Sequence, residues 1–389
     1  MIIYKGLLQK STSKKKHLTE IALLFLKLGL IAFGGPAAHV GMMEDEVVTK
    51  RKWISRQHFL DLVGATNLIP GPNSTEMTMH CGYERAGWRG LFIAGASFIF
   101  PAFVLTGLLA FLYVEYGQVP ALEPFIYGIK PAVIAIILSA IYKLGKKALK
   151  NWQLGIVGLA VIAASFLGVN EISAILGAGA VGLVWFGIIH NKGTKNVKSI
   201  LPLAFLQAGH VSAAAISNTK LFLVFLKVGA VLFGSGYVLV AYLDAELIEK
   251  LGWLTRAQLL EAIAIGQFTP GPVLSTSTFI GYQINGLWGA VAATAGIFLP
   301  SFFFVLLLNP VVPKLRKSPL AAGFLDAVNI GAVGIMVAVT YNLGTEILID
   351  WKTWLIALVS IVATFTSRKI NAFWIVIGGA LLGYLLSLI

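Results

Sequence analysis

The chain has little charge and almost no cysteine. Of its 389 residues, 12% are charged and 57% are hydrophobic. A water-soluble fold cannot be clothed with so few ionised side chains. The mean hydropathy of +0.83 makes lipid the expected solvent. One cysteine, Cys81, rules out an intramolecular disulfide and any cysteine-built metal site. The six histidines are scattered and no His-Glu-x-x-His arrangement occurs, so no metal, cofactor or catalytic group is expected and the chain does not read as an enzyme. Acidic residues are also scarce, 17 against 30 basic ones, for a net charge of +13. The Lys and Arg residues sit in short loops between apolar runs, which fits membrane topology and excludes nucleic acid as the partner.

What the sequence does have is long apolar runs. A spanning helix needs roughly 17 to 25 apolar residues. Leu91 to Val114, Trp152 to Val169, Ile172 to Ile189, Leu287 to Asn309 and Ala372 to Ile389 qualify without a charge. Pro124 to Tyr142 and Ala321 to Thr345 qualify with one ionisable residue each. Continuous runs of this kind predict helices and not the alternating strands of a barrel. Lys14, Lys15 and Lys16 precede an apolar stretch with no small-residue cleavage site, so the amino end reads as an uncleaved start of insertion.

The sequence also repeats itself. Phe25-Leu26-Lys27 matches Phe225-Leu226-Lys227, Phe33-Gly34 matches Phe233-Gly234, Trp53 matches Trp253, and Pro70-Gly71-Pro72 matches Pro270-Gly271-Pro272, at an offset of 200. After one slip the register continues through Gly82-Tyr83 and Gly281-Tyr282, Gly87 and Gly286, and Pro101 and Pro300. Loop charges reverse between the copies. Glu115 and Glu123 are followed by Lys143, Lys146, Lys147 and Lys150, then Glu171, then Lys192, Lys195 and Lys198. In the second copy Lys314, Arg316 and Lys317 come first, then Glu346 and Asp350, then Arg368 and Lys369. Cytoplasmic loops carry the positive excess, so the second copy is expected to be inverted. Parity then requires one linking crossing, for which Leu201 to Ile216 is long enough. The expectation is an all-α polytopic membrane protein of two inverted-topology repeats, residues 1–198 and 219–389, joined by a membrane segment at 199–218, with about six segments per half.

The apolar runs are interrupted by Gly34-Gly35-Pro36 and Pro70-Gly71-Pro72 in one copy, and by Gly234-Ser235-Gly236 and Pro270-Gly271-Pro272 in the other. Non-helical backbone survives at membrane depth only where it is buried in protein or lines a hydrated cavity. Paired breaks therefore predict broken or re-entrant helices around a transport site, whose half-helix amino ends favour an anion. Asn73, Ser74, Thr75 and Glu76 follow the first motif, and Ser275, Thr276, Ser277 and Thr278 the second. Their hydroxyls and amide suit an oxyanion, although Asn73 with Glu76 also has the spacing of a capping box. Lys27 and Lys227 share a repeat position and are candidate substrate ligands; snorkelling to a membrane face is the competing reading. Lys130 and Asp326 are weaker candidates of the same type. Glu76 and His80, four residues apart, lie on one helical face and suggest a proton relay; His39 is a third candidate, and each histidine has a purely structural alternative.

Phe33-Gly34-Gly35-Pro36 with His39, Trp53, Pro70-Gly71-Pro72-Asn73-Ser74-Thr75-Glu76-Met77 and Gly82-Tyr83 together resemble the chromate ion transporter family in its long, two-domain form. The second half resembles the same family's carboxy-terminal repeat through Phe233-Gly234, Gly252-Trp253-Leu254-Thr255, Gly266-Gln267-Phe268-Thr269-Pro270-Gly271-Pro272 and Gly281-Tyr282. The resemblance implies export of chromate from the cytoplasm across an inner (plasma) membrane. On the residues alone, sulfate or another tetrahedral oxyanion and an anion channel of the same architecture remain open. So does the oligomeric state, a homodimer included.

Overall fold

The structure is a computed structural model that describes residues 2–32, 35–66, 69–117, 119–190, 216–233, 236–308, 319–366 and 370–389. It is all-helical, with no strand among the described residues. The first half contains α1 (Ile2–Ile31), α2 (Pro36–Met43) continuing as a π-helical turn (Glu44–Lys50), α3 (Arg56–Thr66), α4 (Asn73–Tyr116), α5 (Glu123–Ala148), α6 (Trp152–Phe166) and α7 (Glu171–His190). The second half contains α8 (Asn218–Val231), α9 (Leu239–Leu243) with the π-helical turn Asp244–Lys250, α10 (Arg256–Phe268), α11 (Thr276–Leu308), α12 (Pro319–Ile347), α13 (Trp351–Thr366) and α14 (Ala372–Ser387). The π turns fall at the same repeat position, 200 residues apart. Residues 199–215 of the linking segment and the Lys314–Lys317 and Arg368–Lys369 loops lie outside the described residues.

Large apolar side chains cover the outside. Trp152, Leu159, Trp351 and Leu358 are among many exposed ones, a surface that only hydrocarbon satisfies. Among the described residues, four helical stretches are long and apolar enough to cross a membrane. The protein is thus a multi-pass membrane protein.

Helix α4 is not one rod. Ala86 and Gly87 leave helical geometry, Gly87 with φ 65°. A methyl group placed on Gly82 would touch the backbone of Gly90 and lie 2.6 Å from the Ala94 Cβ. Residues eight apart in a straight helix are about 12 Å apart, so the chain has folded back on itself. Helix α11 does the same at Asn285-Gly286, with Gly281 against Gly289 and the Thr278 and Thr294 hydroxyls 2.8 Å apart. Each therefore has a short inner arm, leading from the Pro-Gly-Pro motif, and a long outer arm.

Helix α3 and the inner arm of α4 form a hairpin with Pro70-Gly71-Pro72 at its tip. His58 near the start of α3 lies 3.3 Å from Glu84 near the end of the inner arm. α1 and α2 double back likewise: Arg51 lies 3.9 Å from Glu20, which also pairs with Arg85 at 3.0 Å. All these residues gather at one end of the molecule. In the second half, Asn285 binds Asn218 at 3.0 Å, and Lys220 lies over the Trp253 ring at 5.4 Å. Glycines allow close crossings: Gly29 of α1 faces the Phe98 carbonyl, and Gly229 of α8 faces that of Ile297, pairs related by the repeat.

Candidate functional site

The two Pro-Gly-Pro tips meet the broken helix ends of the opposite half. The Gly71 N–H donates to the Leu232 carbonyl at 2.7 Å, and the Gly271 N–H donates to the Ala32 carbonyl at 2.9 Å. The donors are 200 residues apart, and so are the acceptors. A helix that stops inside the protein leaves carbonyls that must find donors, and each repeat supplies one to the other. Glycine is required at both tips by φ values of 140° and 93°. Pro70, Pro72, Pro270 and Pro272 flank those turns and cannot continue the helices.

His39 caps the same break. Its Nε2 donates to the Ala32 carbonyl at 2.9 Å, and its ring stands edge-on to Phe98 at 5.6 Å. In the second half the Tyr242 hydroxyl donates to the Val231 carbonyl at 2.7 Å. Gly35, with φ 81°, precedes Pro36 at the first position of α2. Gly34 and Gly234 lie outside the described residues.

The inner arm of α4 begins in a closed interior. Pro72 occupies its N-cap position without a side-chain cap, and the N–H groups of Thr75 and Glu76 turn back to the Pro72 carbonyl at 2.8 and 3.1 Å. The capping-box geometry suggested by the Asn73–Glu76 spacing is therefore not formed. Ser74, Thr75, Glu76 and His80 are all buried. Glu76 Oε1 accepts from the Ser301 hydroxyl of α11 at 3.3 Å. Glu76 Oε2 and Thr75 Oγ1 are buried without a hydrogen-bond partner among the described residues.

The second tip differs. Ser275 and Thr269 hydroxyls lie 3.2 Å apart, Thr276 donates to the Val273 carbonyl at 2.9 Å, and Ser277 to that of Leu274 at 2.7 Å. Its hydroxyls are occupied locally, whereas the first tip keeps buried polar atoms unmatched. Such atoms are costly without a guest, water or ion.

Lys27 and Lys227 do not stand alone. Lys27 lies 3.6 Å from the Glu46 carboxylate, which also takes Lys50 at 3.2 Å and Arg51. Lys227 pairs with Glu246, which Lys250 approaches at 3.6 Å. Both glutamates are buried on the π turns. Sequence reasoning missed them, although they obey the same 200-residue offset as the lysines. It also missed Glu261, which binds Lys130 at 2.8 Å and accepts from the Tyr113 hydroxyl. Asp326 pairs with Lys150 at 2.6 Å, not with an equivalent of Lys130's partner. No group of three metal-ligating side chains occurs among the described residues.

The family model described as "Chromate transporter" matches this chain twice, over residues 19–183 and 219–384. The chain belongs to the chromate transporter family. It is a transporter and not an enzyme, and it carries two copies of the family's domain. A chromate transport protein of Cupriavidus metallidurans is 32% identical over 379 residues, covering 96% of this chain and 94% of that one. A probable chromate transport protein of Synechococcus elongatus is 32% identical, with coverage of 90% and 91%. A chromate transport protein of Pseudomonas aeruginosa is 32% identical, with coverage of 82% and 79%. No solved structure matches this transporter.

Proposed function

We propose that this transporter exports chromate from the cytoplasm, with the substrate held where the two Pro-Gly-Pro tips face each other. The observation that carries the reading is the reciprocal capping of Ala32 and Leu232 by Gly271 and Gly71, beside the unmatched Thr75 hydroxyl, with Glu76 able to face the dianion only as the protonated acid. A tetrahedral dianion there would meet the amino end of the inner arm of α4 and the side chains of Asn73, Ser74 and Thr75. Ser275 and Thr276 border the second tip from the other repeat. Lys27 and Lys227, each balanced by a buried carboxylate, supply positive potential on the approaches. Glu76, with His80 and His39 near the same breaks, is the candidate proton-coupling group.

The inverted arrangement of the halves is supported by where their ends fall. Glu20, Arg51, His58 and Arg85 share one end, while Tyr113, in the last turn of α4, meets Glu261 midway along α10. With an inside-negative potential at an inner membrane, outward movement of a dianion gains about 4.6 kcal/mol per 100 mV, twice the single-charge value.

Everted vesicles containing the protein should accumulate labelled chromate, and Thr75→Ala or Ser74→Ala should weaken that uptake while folded protein is retained. Competition by sulfate, molybdate and phosphate ranks the oxyanions. Unchanged uptake in both variants would remove the first tip from the site, and steady current without saturation would make the protein a channel. For proton coupling, Glu76→Gln should abolish the response of uptake to an imposed pH gradient at clamped voltage.

A further inference from the structure

The halves share a build but are packed differently. Helices α5, α6 and α7 interleave with α12, α13 and α14 in equivalent pairs: α5 on α14 as α7 on α12, and α5 on α13 as α12 on α6. Polar contacts tie the bundle at its ends, Tyr127 to Asp350 at 2.5 Å and Lys150 to Asp326 at 2.6 Å. This bundle is docked on the hairpins of the second half. α10 packs on α5 and α14, and α9 on α7 and α12. Leu260 is 0% exposed, and the Phe268 ring meets Phe373 at 5.3 Å. The dock is closed by the Lys130–Glu261 pair, with the Tyr113 hydroxyl on the same carboxylate.

The corresponding face of the first half is more open, and among the described residues no bundle helix is packed on α3 as α5 and α14 are on α10. Leu60, which stands where Leu260 does, is 48% exposed. Asp61 stands in the place of Glu261, beside Gln57 at 3.4 Å. Val63 and Gly64 are only partly buried, where Ile263 and Ala264 are buried. The bundle pairs its helices equivalently in the two halves; the asymmetry lies in how it sits on the hairpins.

We propose that the six-helix bundle alternates between the two sets of hairpins, that Lys130–Glu261 is the lock of the docked state seen here, and that Asp61–Asn329 is the matching lock of the other. Asn329 occupies the repeat position of Lys130, in the register set by Tyr142-Lys143-Leu144-Gly145 and Tyr341-Asn342-Leu343-Gly344. The proposal rests on the inverted two-half reading, because inverted repeats that hold different conformations give the second state of a transporter when those conformations are exchanged. It also explains how Glu261 can lose Lys130 without being stranded. On undocking, its face of α10 becomes as open as that of α3 is now, and water replaces the ammonium. The Asp61–Asn329 lock has one ionised partner where the Lys130–Glu261 lock has two of opposite charge, so the state closed by Lys130 is favoured at rest.

The test is cross-linking of the full-length protein in membranes, with Cys81 left in place because it is fully buried. Asp61→Cys with Asn329→Cys should give an intramolecular cross-link, and Lys130→Cys with Glu261→Cys should give another. Adding Glu261→Gln to the first pair should raise its rate by about tenfold, the shift expected for losing one charge-assisted contact from a two-state balance. A merely structural ion pair would not move that rate. Cross-linking of the second pair alone, in a monodisperse sample, would overturn the proposal. So would a first-pair link found only between two chains, which would make the α3 face a homodimer interface. Impermeant labelling of Lys147→Cys and Lys317→Cys separates the two levels. Opposite sides of the membrane would refute the inverted reading itself, whereas the same side with no first-pair link refutes only the alternation.

Discussion

Alanine at Gly82 and at Gly41 should move stability in opposite directions, although both positions are helical. In general Gly→Ala in a helix stabilises by roughly 0.5–1 kcal/mol through lost backbone freedom in the unfolded chain. At Gly41 in α2 a methyl group meets nothing within 4 Å, so that gain should appear in full. At Gly82 the methyl would run into the backbone of Gly90 and lie 2.6 Å from the Ala94 Cβ. Carbon atoms pack at about 3.5–4.0 Å, so the hairpin arms must part by about 1 Å. Neither obstacle can rotate away, which puts the cost at the upper end of overpacking, about 3 kcal/mol, and leaves a net loss of about 2 kcal/mol. The assay is thermal inactivation of each purified variant in one detergent, with chromate uptake measured alongside. The displaced arm carries Ser74, Thr75 and Glu76, so Gly82→Ala should lose uptake as well. Gly281→Ala, against Gly289, should behave like Gly82→Ala. If Gly82→Ala raised the inactivation temperature as Gly41→Ala does, α4 would not be folded back at Ala86-Gly87.

Removing Glu246 leaves Lys227 without its carboxylate, so Glu246→Gln should destabilise the protein by up to about 3–5 kcal/mol, and adding Lys227→Met should restore most of the loss. A double variant no more stable than the single one would show that the loss does not come from an unpaired Lys227. Asp350 lies in the loop before α13, where the Tyr127 hydroxyl, and next the Thr353 backbone, hold its carboxyl below the ordinary carboxylate range. A carboxyl depressed on folding stabilises above its unfolded pKa, about 3.9, and that contribution is lost as pH falls through the lower folded value. Tyr127→Phe should therefore flatten the fall in stability below about pH 4, and an unchanged acid limb would remove the bond from the account. Arg256 joins Asp244 at 3.1 Å, Glu249 at 3.0 Å and Glu346 at 2.5 Å. Arg256→Met should loosen the α10 end of the second half far more than Arg56→Met loosens the first, where Arg56 is exposed beside Glu44; limited proteolysis would measure the difference.

Much of the molecule was legible because lipid imposes a simple rule on composition. Continuous apolar runs, each long enough to close its own backbone hydrogen bonds, announce helices and the membrane together. The repeat was legible too, since Lys27 and Lys227, and the two Pro-Gly-Pro motifs, keep a constant offset. The breaks at Gly35-Pro36 and Gly71 followed from residues that cannot continue a helix. The partners could not be read. Glu46 and Glu246 sit in acidic stretches that resemble ordinary loops, and only the π turns bury them against the lysines.

The sequence by itself determined that this is a two-copy helical membrane transporter with interrupted helices, because hydropathy, glycine, proline and repeat register are local properties of the chain. Only the tertiary structure decided that each tip caps the other half, that Glu76 faces Ser301, and that Glu261 holds Lys130. Those are contacts between residues far apart in the chain, fixed by which helices pack together. Two copies of nearly the same local pattern can be packed in two different ways.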